Sequence, residues 1–433
     1  MDLTIIAIIG IVTMLILLFA GMNIGLAMFI VGLFGYAYVI NWPAALGVLM
    51  SNPMNTAMSY SMTVMPLFVL MGQFVYYAGL SDGLFDSMEK WFGRVRGGIA
   101  MAAVAACALF GAICGSLPAA LMTMGLIAYP AMKRRAYDDK LSTSALCAGA
   151  TLGCLIPPSS PLILYGIITE TSIGKLFAAG TIPGIVMTIT FIIVIIFMVR
   201  KNPALAPTGQ AYTLKEKIIS LKGCVLTVVL FVIVIGGMFN GWFSATEAAA
   251  IGAFAALVIL IVKKRATWAT LKRALWDTVK TSCMSMTIVL GAYMLGYFLA
   301  VTKLPMALAS AVASLNVAPA LVMGIIILAY AFLGCIMDGL AIMLLTTPII
   351  LPVVLQLGYD TIWFGVIMTM VMNLGAITPP VGTGAYIASG ALKVPLQTVF
   401  KGLAPYIIAF AICFLIFVLW PDLVLFLPKL LYQ

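Results

Sequence analysis

Runs of apolar residues, separated by short polar segments, occupy almost the whole chain. Runs of about 20 residues are typical of membrane-spanning helices. They predict spans near residues 3–20, 22–40, 62–80, 97–114, 141–169, 177–199, 222–240, 245–262, 278–300, 319–333, 361–392 and 404–428. The alternation of apolar and polar residues that marks a transmembrane β-barrel is missing. The pattern therefore predicts an all-α polytopic membrane protein.

One skeleton of residues occurs twice in the chain. The first copy contains Pro130, Tyr137, Asp138, Gly153, Pro157 and Pro158. The second copy lies 222 positions later (352 − 130) and contains Pro352, Tyr359, Asp360, Gly375, Pro379 and Pro380. Two successive prolines remove N–H donors and clash with the preceding helical turn, so each Pro-Pro pair predicts a broken helix. A duplicated apolar chain with helices broken at matching positions is typical of secondary transporters.

Each copy also has an interruption before its broken helix. The first interruption contains Gly115 and Ser116, and the second contains Asp338 and Gly339. Ser116 and Asp338 are again 222 positions apart (338 − 116). Glycine beside a polar residue in an apolar run predicts the tip of a re-entrant hairpin. Hairpin 1 is expected near residues 111–132 and hairpin 2 near 334–358, with the broken helices near 141–169 and 361–392.

These elements predict a chain organised in two halves joined by a polar linker. We expect scaffold helices at 1–80, transport elements of the first repeat at 81–199, a cytoplasmic linker at 200–222, scaffold helices at 223–300, transport elements of the second repeat at 301–392 and a C-terminal helix at 393–433. The linker is assigned because this segment combines charged residues with prolines.

The distribution of charge predicts how the two halves are oriented. Only 8% of the residues are charged, and the net charge of +10 arises from basic residues in short loops. This agrees with the positive-inside rule and argues against nucleic-acid binding. The loop before the first broken helix contains Lys133, Arg134 and Arg135, whereas the equivalent residues 355–357 are uncharged. Halves that insert in opposite directions show this difference, so the charges predict inverted structural repeats.

The residue types present restrict the chemistry of a site. The chain has no histidine, which excludes imidazole relays, and no Cys-x-x-Cys pair that suggests a zinc or redox site. A coupling ion must then be bound by oxygen atoms. Unwound backbone at the breaks frees carbonyls, and Ser159, Ser160, Thr378 and Thr383 add hydroxyls that suit an alkali cation. A simple proline kink is the alternative for one break, but two matched breaks favour a site.

Asp338 is the strongest single candidate for a functional side chain. It is the only carboxylate between Asp277 and Asp360, and a buried acid in an apolar segment is a functional candidate because charge is costly in a bilayer. The alternative is a structural role, accepting backbone N–H bonds at the hairpin tip. Helix N-termini at the tips are candidates for binding an anionic substrate. Glu247, three residues after Ser244, predicts a capping box rather than a reactive acid.

Several motifs resemble those of the large membrane subunit of tripartite ATP-independent periplasmic (TRAP) transporters. They are residues 66–72 (PLFVLMG), 155–159 (LIPPS), 172–180 (SIGKLFAAG), 246–249 (TEAA), 337–338 (MD), 348–352 (PIILP) and 378–382 (TPPVG). They extend over nearly the whole chain in the order of the family. The resemblance implies an elevator-type carrier with an ion-transporter-like architecture, driven by a sodium gradient. Its transport domain would contain two re-entrant helical hairpins and two broken helices.

The resemblance also implies partners and site residues. A soluble periplasmic binding protein would deliver a small organic acid, and a small membrane subunit would be a separate chain, within the lipid bilayer of the bacterial inner membrane. It implies Na⁺ as the coupling ion, no cofactor and no catalytic residue. The residues expected near sodium or substrate are Ser116, Gly153, Pro157, Ser159, Asp338, Asn373, Gly375, Thr378, Gly382 and Thr383. Family members commonly have a Ser-Gly-Ser-rich first hairpin, where this chain has Cys114-Gly115-Ser116.

Two other functions stay open. One is a stand-alone inverted-repeat elevator carrier for dicarboxylates or other anions, which needs no binding protein. The other is an intramembrane enzyme, because Asp138-Asp139 is superficially similar to acidic motifs that bind magnesium diphosphate. No third acid follows, however, and Gly-x-Ser-x-Gly and His-Glu-x-x-His are both missing. The sequence therefore predicts a carrier and no enzyme.

Overall fold

The structure, a computed structural model, describes residues 2–207, 209, 211–314 and 317–432, with side chains left out at 311–314. Within these ranges the regular elements are all helices, as the apolar runs predict. Short 3₁₀ turns cover Tyr60–Thr63, Leu152–Cys154 and Pro203–Leu205, and a π-helical turn covers Val232–Gly236.

Within the described residues, ten helices lie in the first half and twelve in the second. The first half contains α1 (Leu3–Phe19), α2 (Ile24–Val39), α3 (Trp42–Ala57), α4 (Val64–Tyr77), α5 (Leu80–Phe92), α6 (Gly98–Cys114), α7 (Leu117–Arg134), α8 (Asp139–Thr151), α9 (Ser160–Ile168) and α10 (Ile173–Lys201). The second half contains α11 (Leu214–Ser220), α12 (Lys222–Phe231), α13 (Gly237–Phe239), α14 (Ala245–Val262), α15 (Trp268–Val301), α16 (Leu304–Ser314), α17 (Pro319–Ile336), α18 (Gly339–Gln356), α19 (Thr361–Ala376), α20 (Thr383–Leu392), α21 (Leu396–Leu419) and α22 (Pro421–Leu431).

The helix boundaries repeat with the same offset as the sequence skeleton. α7 and α18 begin at Leu117 and Gly339, and α8 and α19 begin at Asp139 and Thr361. Each pair is 222 positions apart, for example 339 − 117. Both Pro-Pro peptide bonds are cis. Hairpin 1 (α6–α7) with the first broken helix (α8–α9), and hairpin 2 (α17–α18) with the second (α19–α20), therefore have the same order and spacing of helices.

The scaffold helices of the two halves exchange contacts. α2 of the first half packs along α15 of the second half. α14, the equivalent of α2 in the second half, packs along α4 of the first half. The backbones of α2 and α15 nearly touch, since a methyl group at Gly25 would lie 2.7 Å from the Thr287 carbonyl carbon. Small residues at crossings allow such close packing of membrane helices. The exchange joins both halves into one scaffold.

The outer surface is suited to lipid. Seven helices in the described ranges are long and apolar enough to cross a membrane, or eight if α3 and α4, bent by 58°, count as one span. On α10 a stripe of side chains recurs every four residues and is more than half exposed: Ile185, Ile189, Ile193 and Phe197. A surface this apolar packs against hydrocarbon and not against water. The chain is a multi-pass membrane protein.

Some helices are not revealed by apolar runs. α5 is amphipathic, and its charged residues, including Asp82 and Lys90, lower its mean hydropathy. It therefore does not stand out as an apolar run. The segment 200–222, expected as a linker, includes α11, and the segment 43–60 is mostly α3.

The expected single C-terminal helix is instead two helices, α21 and α22, because Pro421 starts a new helix. Ser244 and Glu247 form the predicted capping box.

Both hairpins are longer than their glycine and hydropathy patterns predict. Hairpin 1 covers residues 98–134 and hairpin 2 covers residues 319–356. Their tips lie at residues 115–116 and 337–338, where the interruptions predict them. Glycine and polar residues mark the turn of each hairpin, so its position is predictable from sequence. The apolar arms have the same composition as ordinary spans, so their length is not.

Candidate functional site

Gly115 shapes the tip of hairpin 1. It adopts a φ of 60°, which ends α6 in a conformation that glycine tolerates. A methyl group there would lie 2.8 Å from the Pro158 carbonyl oxygen. The Gly115 carbonyl accepts a hydrogen bond from the Ser160 N–H at 3.2 Å. Glycine therefore allows the tip to contact the first Pro-Pro break directly.

The second half repeats this contact with other residues. Gly382, the equivalent of Ser160 (382 − 160 is 222), donates from its N–H to the Cys335 carbonyl at 2.9 Å. Gly382 also has a φ of 60°, a conformation that favours glycine. In both halves, then, the residue just beyond the Pro-Pro break donates to a carbonyl near the hairpin tip.

Two glycine pairs bring each hairpin against its broken helix. A methyl group at Gly153 would lie 2.8 Å from the Gly111 Cα, and one at Gly375 would lie 2.5 Å from the Gly334 carbonyl carbon. Backbone atoms cannot move aside as flexible side chains do, so neither position has room for a side chain. Gly153 and Gly375, expected near the ion or substrate, thus also hold the hairpins in place.

Ser159 is fully buried at the first break. Its hydroxyl donates to the Cys154 carbonyl and accepts from the Leu162 N–H at 3.4 Å, which caps α9. Pro157 is buried beside it. The Ser159 side chain therefore stabilises the start of α9 in addition to being a candidate ligand.

The second break is the more open of the two. Its Pro-Pro pair is exposed, whereas the pair of the first break is buried. Thr378 is half-buried, and its hydroxyl donates to the Leu374 carbonyl at 2.6 Å. Thr383 begins α20, and Asn373 is 6% exposed in the last turn of α19. An exposed Pro-Pro break beside half-buried threonine hydroxyls, inside a membrane domain, favours a solvated binding region here.

Asp338 caps α18 by accepting a hydrogen bond from the Leu340 N–H at 3.1 Å. Its side chain is exposed, which corrects the expectation of a buried acid: the helix breaks at this residue, so the carboxylate lies at the tip surface. The equivalent Ser116 makes no side-chain cap to α7. The structural role that the sequence left as an alternative is therefore observed, and a role in ion or substrate binding stays a prediction.

Candidate residues of the two halves gather in one region. A methyl group at Gly384, in the first turn of α20, would lie 3.5 Å from Leu117 Cδ2 and 3.5 Å from Cys147 Sγ. Leu117 is the first residue of α7, so the second break lies beside the tip of hairpin 1. In the other direction, α18 of hairpin 2 packs against α9 of the first broken helix. The hairpin of each half thus contacts the broken helix of the other.

The four helix N-termini of this region differ in their caps. α9 is capped by Ser159 and α18 by Asp338, whereas α7 and α20 have no side-chain cap. Uncapped N-termini present backbone N–H groups and a partial positive charge, which attract anions. A carboxylate cap does the reverse and attracts cations. The region therefore offers separate environments for an anion and for a cation.

Thr151 is a candidate that the sequence analysis missed. It is the equivalent of Asn373 (373 − 151 is 222), is 2% exposed, and donates to the Ala148 carbonyl at 2.7 Å. The constant offset could have identified it. In the described part of the chain, no three Cys, Asp or Glu side chains form a group that could hold a metal ion.

Comparison with known proteins identifies the family. The family model described as tripartite ATP-independent periplasmic transporter, DctM component, matches residues 11–423. The chain belongs to this family. This TRAP permease is 33% identical to the C4-dicarboxylate TRAP transporter large permease protein DctM of Pseudomonas aeruginosa over 87% of this chain and 88% of that protein.

Other TRAP permeases are similar over comparable lengths. The sialic acid TRAP transporter large permease protein SiaM of Vibrio cholerae is 30% identical, with 96% of both chains covered. The 2,3-diketo-L-gulonate TRAP transporter large permease protein YiaN of Escherichia coli is 31% identical over 86% of this chain and 87% of that protein. The YdaH transporter of Alcanivorax borkumensis superposes with a TM-score of 0.63 at 13% identity, covering 88% and 89% of the chains, which shows a shared fold.

Proposed function

We propose that this TRAP permease imports a small organic acid together with sodium ions. The observation that carries the proposal is the meeting of two uncapped helix N-termini, those of α7 and α20, contributed by opposite halves. The relatives named above are transporters of C4-dicarboxylate, sialic acid and 2,3-diketo-L-gulonate, and each of these compounds carries a carboxylate. A carboxylate is the group that such N-termini bind.

The substrate carboxylate is proposed to lie between Ser116 and Thr383. Ser116 precedes α7 and Thr383 begins α20, and both side chains are half-exposed. Their hydroxyls and the backbone N–H groups of the first turns, except at Pro118, which has no N–H, supply donors for the two carboxylate oxygens. Anion binding at helix N-termini needs no lysine or arginine, because the backbone N–H groups and the partial positive charge attract the carboxylate.

Sodium is proposed to bind to carbonyl and hydroxyl oxygens at the tips and breaks. Sodium is a hard cation, and the breaks leave carbonyls without helical donors. Gly153, Pro157 and Ser159 supply candidate oxygens in the first half, and Asn373, Gly375, Thr378 and Gly382 in the second. Asp338 supplies the negative charge. The shared tip-to-break contact supports equivalent ion positions in both halves.

Transport is proposed to follow an elevator mechanism, with the two halves inserted in opposite directions. The hairpins and broken helices contact one another across the halves, while the scaffold helices pair with each other as α2–α15 and α4–α14. Two groups of helices with such contacts can move relative to each other as rigid bodies. Inverted repeats then relate the two end states.

The inverted orientation predicts labelling from opposite sides. Arg134 and Gln356 are exposed and equivalent (356 − 134 is 222), each at the end of a second hairpin arm. In a background carrying Cys283→Ser, we expect Arg134→Cys to react with an impermeant maleimide only from the cytoplasm and Gln356→Cys only from the periplasm. Labelling of both from one side would contradict the inverted repeat.

The proposed partners are a periplasmic binding protein and a separate small membrane subunit, in the bacterial inner membrane. A binding protein would capture the acid and dock on the permease. Substrate recognition would then depend mainly on the binding protein, since the proposed site of the permease offers only two helix N-termini and two hydroxyls. We propose no enzymatic activity.

Reconstitution tests the proposal. We expect proteoliposomes containing the permease and its small subunit to accumulate the acid only with an inward sodium gradient and with the loaded binding protein outside. Replacing sodium with choline should reduce uptake to the level of empty liposomes. Uptake without the binding protein would favour the stand-alone carrier, and uptake without sodium would contradict the proposed coupling.

A further inference from the structure

Three side chains form a network at the base of hairpin 1. Arg135 Nη2 lies 2.5 Å from Glu89 Oε1. The Tyr212 hydroxyl lies 3.4 Å from each of these two atoms, accepting from Arg135 and donating to Glu89. The Glu89 side chain is 12% exposed and that of Arg135 is 33% exposed. Ion pairs that are shielded in this way are screened by salt less than surface pairs.

The three residues belong to separate parts of the molecule. Arg135 follows α7 directly, at the base of the hairpin whose tip contacts the first break. Glu89 lies in α5, and Tyr212 lies in the segment between α10 and α11. The network therefore ties the hairpin to two segments that lie outside the hairpins and broken helices.

α5 is held against the scaffold helix α12. A methyl group at Gly83 would lie 2.8 Å from the Gly223 carbonyl oxygen, so the two backbones are in contact. The Ser87 hydroxyl donates to the Ser220 carbonyl next to α12. α5 contacts α12 in this way and also packs along α6, the first arm of hairpin 1. The Glu89–Arg135 pair therefore links the base of hairpin 1 to a helix that is itself in contact with the scaffold.

The second half has no equivalent pair. The positions 222 residues after Glu89 and Arg135 are Ala311 (311 − 89) and Leu357 (357 − 135). Neither residue type carries a charge. An ion pair equivalent to Glu89–Arg135 is therefore impossible at these two positions of the second half.

We propose that Glu89, Arg135 and Tyr212 act as a latch, which stabilises the conformation seen here against movement of hairpin 1 relative to the scaffold. This inference rests on the proposed carrier function. Inverted repeats make the two end states similar in structure, but a bond present in one half makes them unequal in free energy. The latch thus sets the resting conformation of the empty carrier and must open in each cycle.

Distance measurements test the latch without substrate. Spectroscopic labels on non-natural residues at Arg134 and Lys263 report the separation of the hairpin base from the scaffold. We expect Glu89→Gln and Arg135→Gln each to change the ratio of the two conformations by about fivefold. The double variant Glu89→Gln/Arg135→Gln should change the ratio little more than either single variant does, because each of the three variants removes the same ion pair.

A matched control is the Lys133–Asp139 pair, which joins α7 to α8 within the moving unit at 2.7 Å. Lys133→Gln removes a neighbouring charge but no bond to the scaffold, so the distance distribution should stay as in the wild type. Unchanged distributions in Glu89→Gln and Arg135→Gln would overturn the latch. So would a shift of equal size in Lys133→Gln.

Cross-linking supplies a second test. In the double variant Glu89→Cys/Arg135→Cys, made in the Cys283→Ser background, a bifunctional methanethiosulfonate reagent that spans the length of the original side-chain pair should stop uptake, and reduction should restore it, because the latch must open. Uptake at the wild-type rate with the cross-link formed would show that α5 moves with the hairpin and would overturn the inference. A failure of the proposed function would appear instead as absent uptake in the wild type, while the distance measurements would still decide the latch.

Discussion

Sodium-dependent uptake is expected to fall by about 100-fold when Asp338 is replaced by alanine, while the permease still assembles with its small subunit. The loss has two parts. Removing a charged ligand costs an ion site about 1.5–3 kcal/mol, or roughly tenfold to 100-fold in affinity. Removing the cap of α18 costs about 1 kcal/mol in addition.

Asp360→Ala separates these two parts. Asp360 caps α19 by accepting from the Ile362 and Trp363 N–H groups at 2.7 and 3.0 Å, but it lies at the opposite end of α19 from the second break. The Asp360→Ala variant should lose the helix cap but still bind sodium, so uptake is expected to stay within about threefold of the wild type. Asp338→Asn retains an oxygen for the cap and removes the charge, and it should resemble Asp338→Ala in its sodium dependence.

Thr378→Ala is expected to lower uptake as well, and Thr378→Ser should restore it, because the hydroxyl is the proposed ligand. Thr369→Ala provides the control, since Thr369 makes the same type of bond inside α19, before the break, to the Gly365 carbonyl at 2.9 Å. Initial rates measured against sodium concentration report the effect. Wild-type uptake in both Asp338→Ala and Thr378→Ala would refute the proposed site.

The second large effect is expected from Gly375→Ala. The added methyl group would lie 2.5 Å from the Gly334 carbonyl carbon and 2.7 Å from its Cα. The second break must then separate from hairpin 2, which breaks the alignment of the Gly382–Cys335 hydrogen bond. Overpacking of this kind costs about 1–3 kcal/mol, and uptake should be lost because the ion and substrate groups no longer meet.

Gly390→Ala is the matched control for this substitution. Gly390 lies in α20 and has no atom within 4 Å of an added methyl group. Thermal unfolding in detergent should therefore show a lowered midpoint for Gly375→Ala and not for Gly390→Ala. A wild-type midpoint together with wild-type uptake in Gly375→Ala would show that the close hairpin contact is not required.

The hairpin tips and the breaks are predictable from sequence because glycine and proline act locally. Gly115 ends α6 through its own φ, and each Pro-Pro pair interrupts a helix wherever it occurs in an apolar run. The constant offset of 222 adds a comparison within the chain, which assigns Ser116 and Asp338 to equivalent tips without any structure. These residues specify their conformation through their own covalent geometry.

Other features depend on partners that are distant in sequence. The exposure of Asp338 depends on where α17 ends, and the latch depends on Glu89, Arg135 and Tyr212 meeting from three segments. α5 is amphipathic and charged, so its place among the membrane helices becomes clear only from its packing against α12. No local pattern predicts such contacts, because they are set by how the helices pack.

The sequence by itself determined that this protein is a duplicated, helical membrane protein with two interrupted hairpins and two broken helices, since hydropathy, glycine and proline act over one or two helical turns. The tertiary structure decided which helix ends meet, which of them lack caps, and which charged pair joins a hairpin to the scaffold. Those features follow from long-range packing, which brings the α7 and α20 N-termini together although they are far apart along the chain.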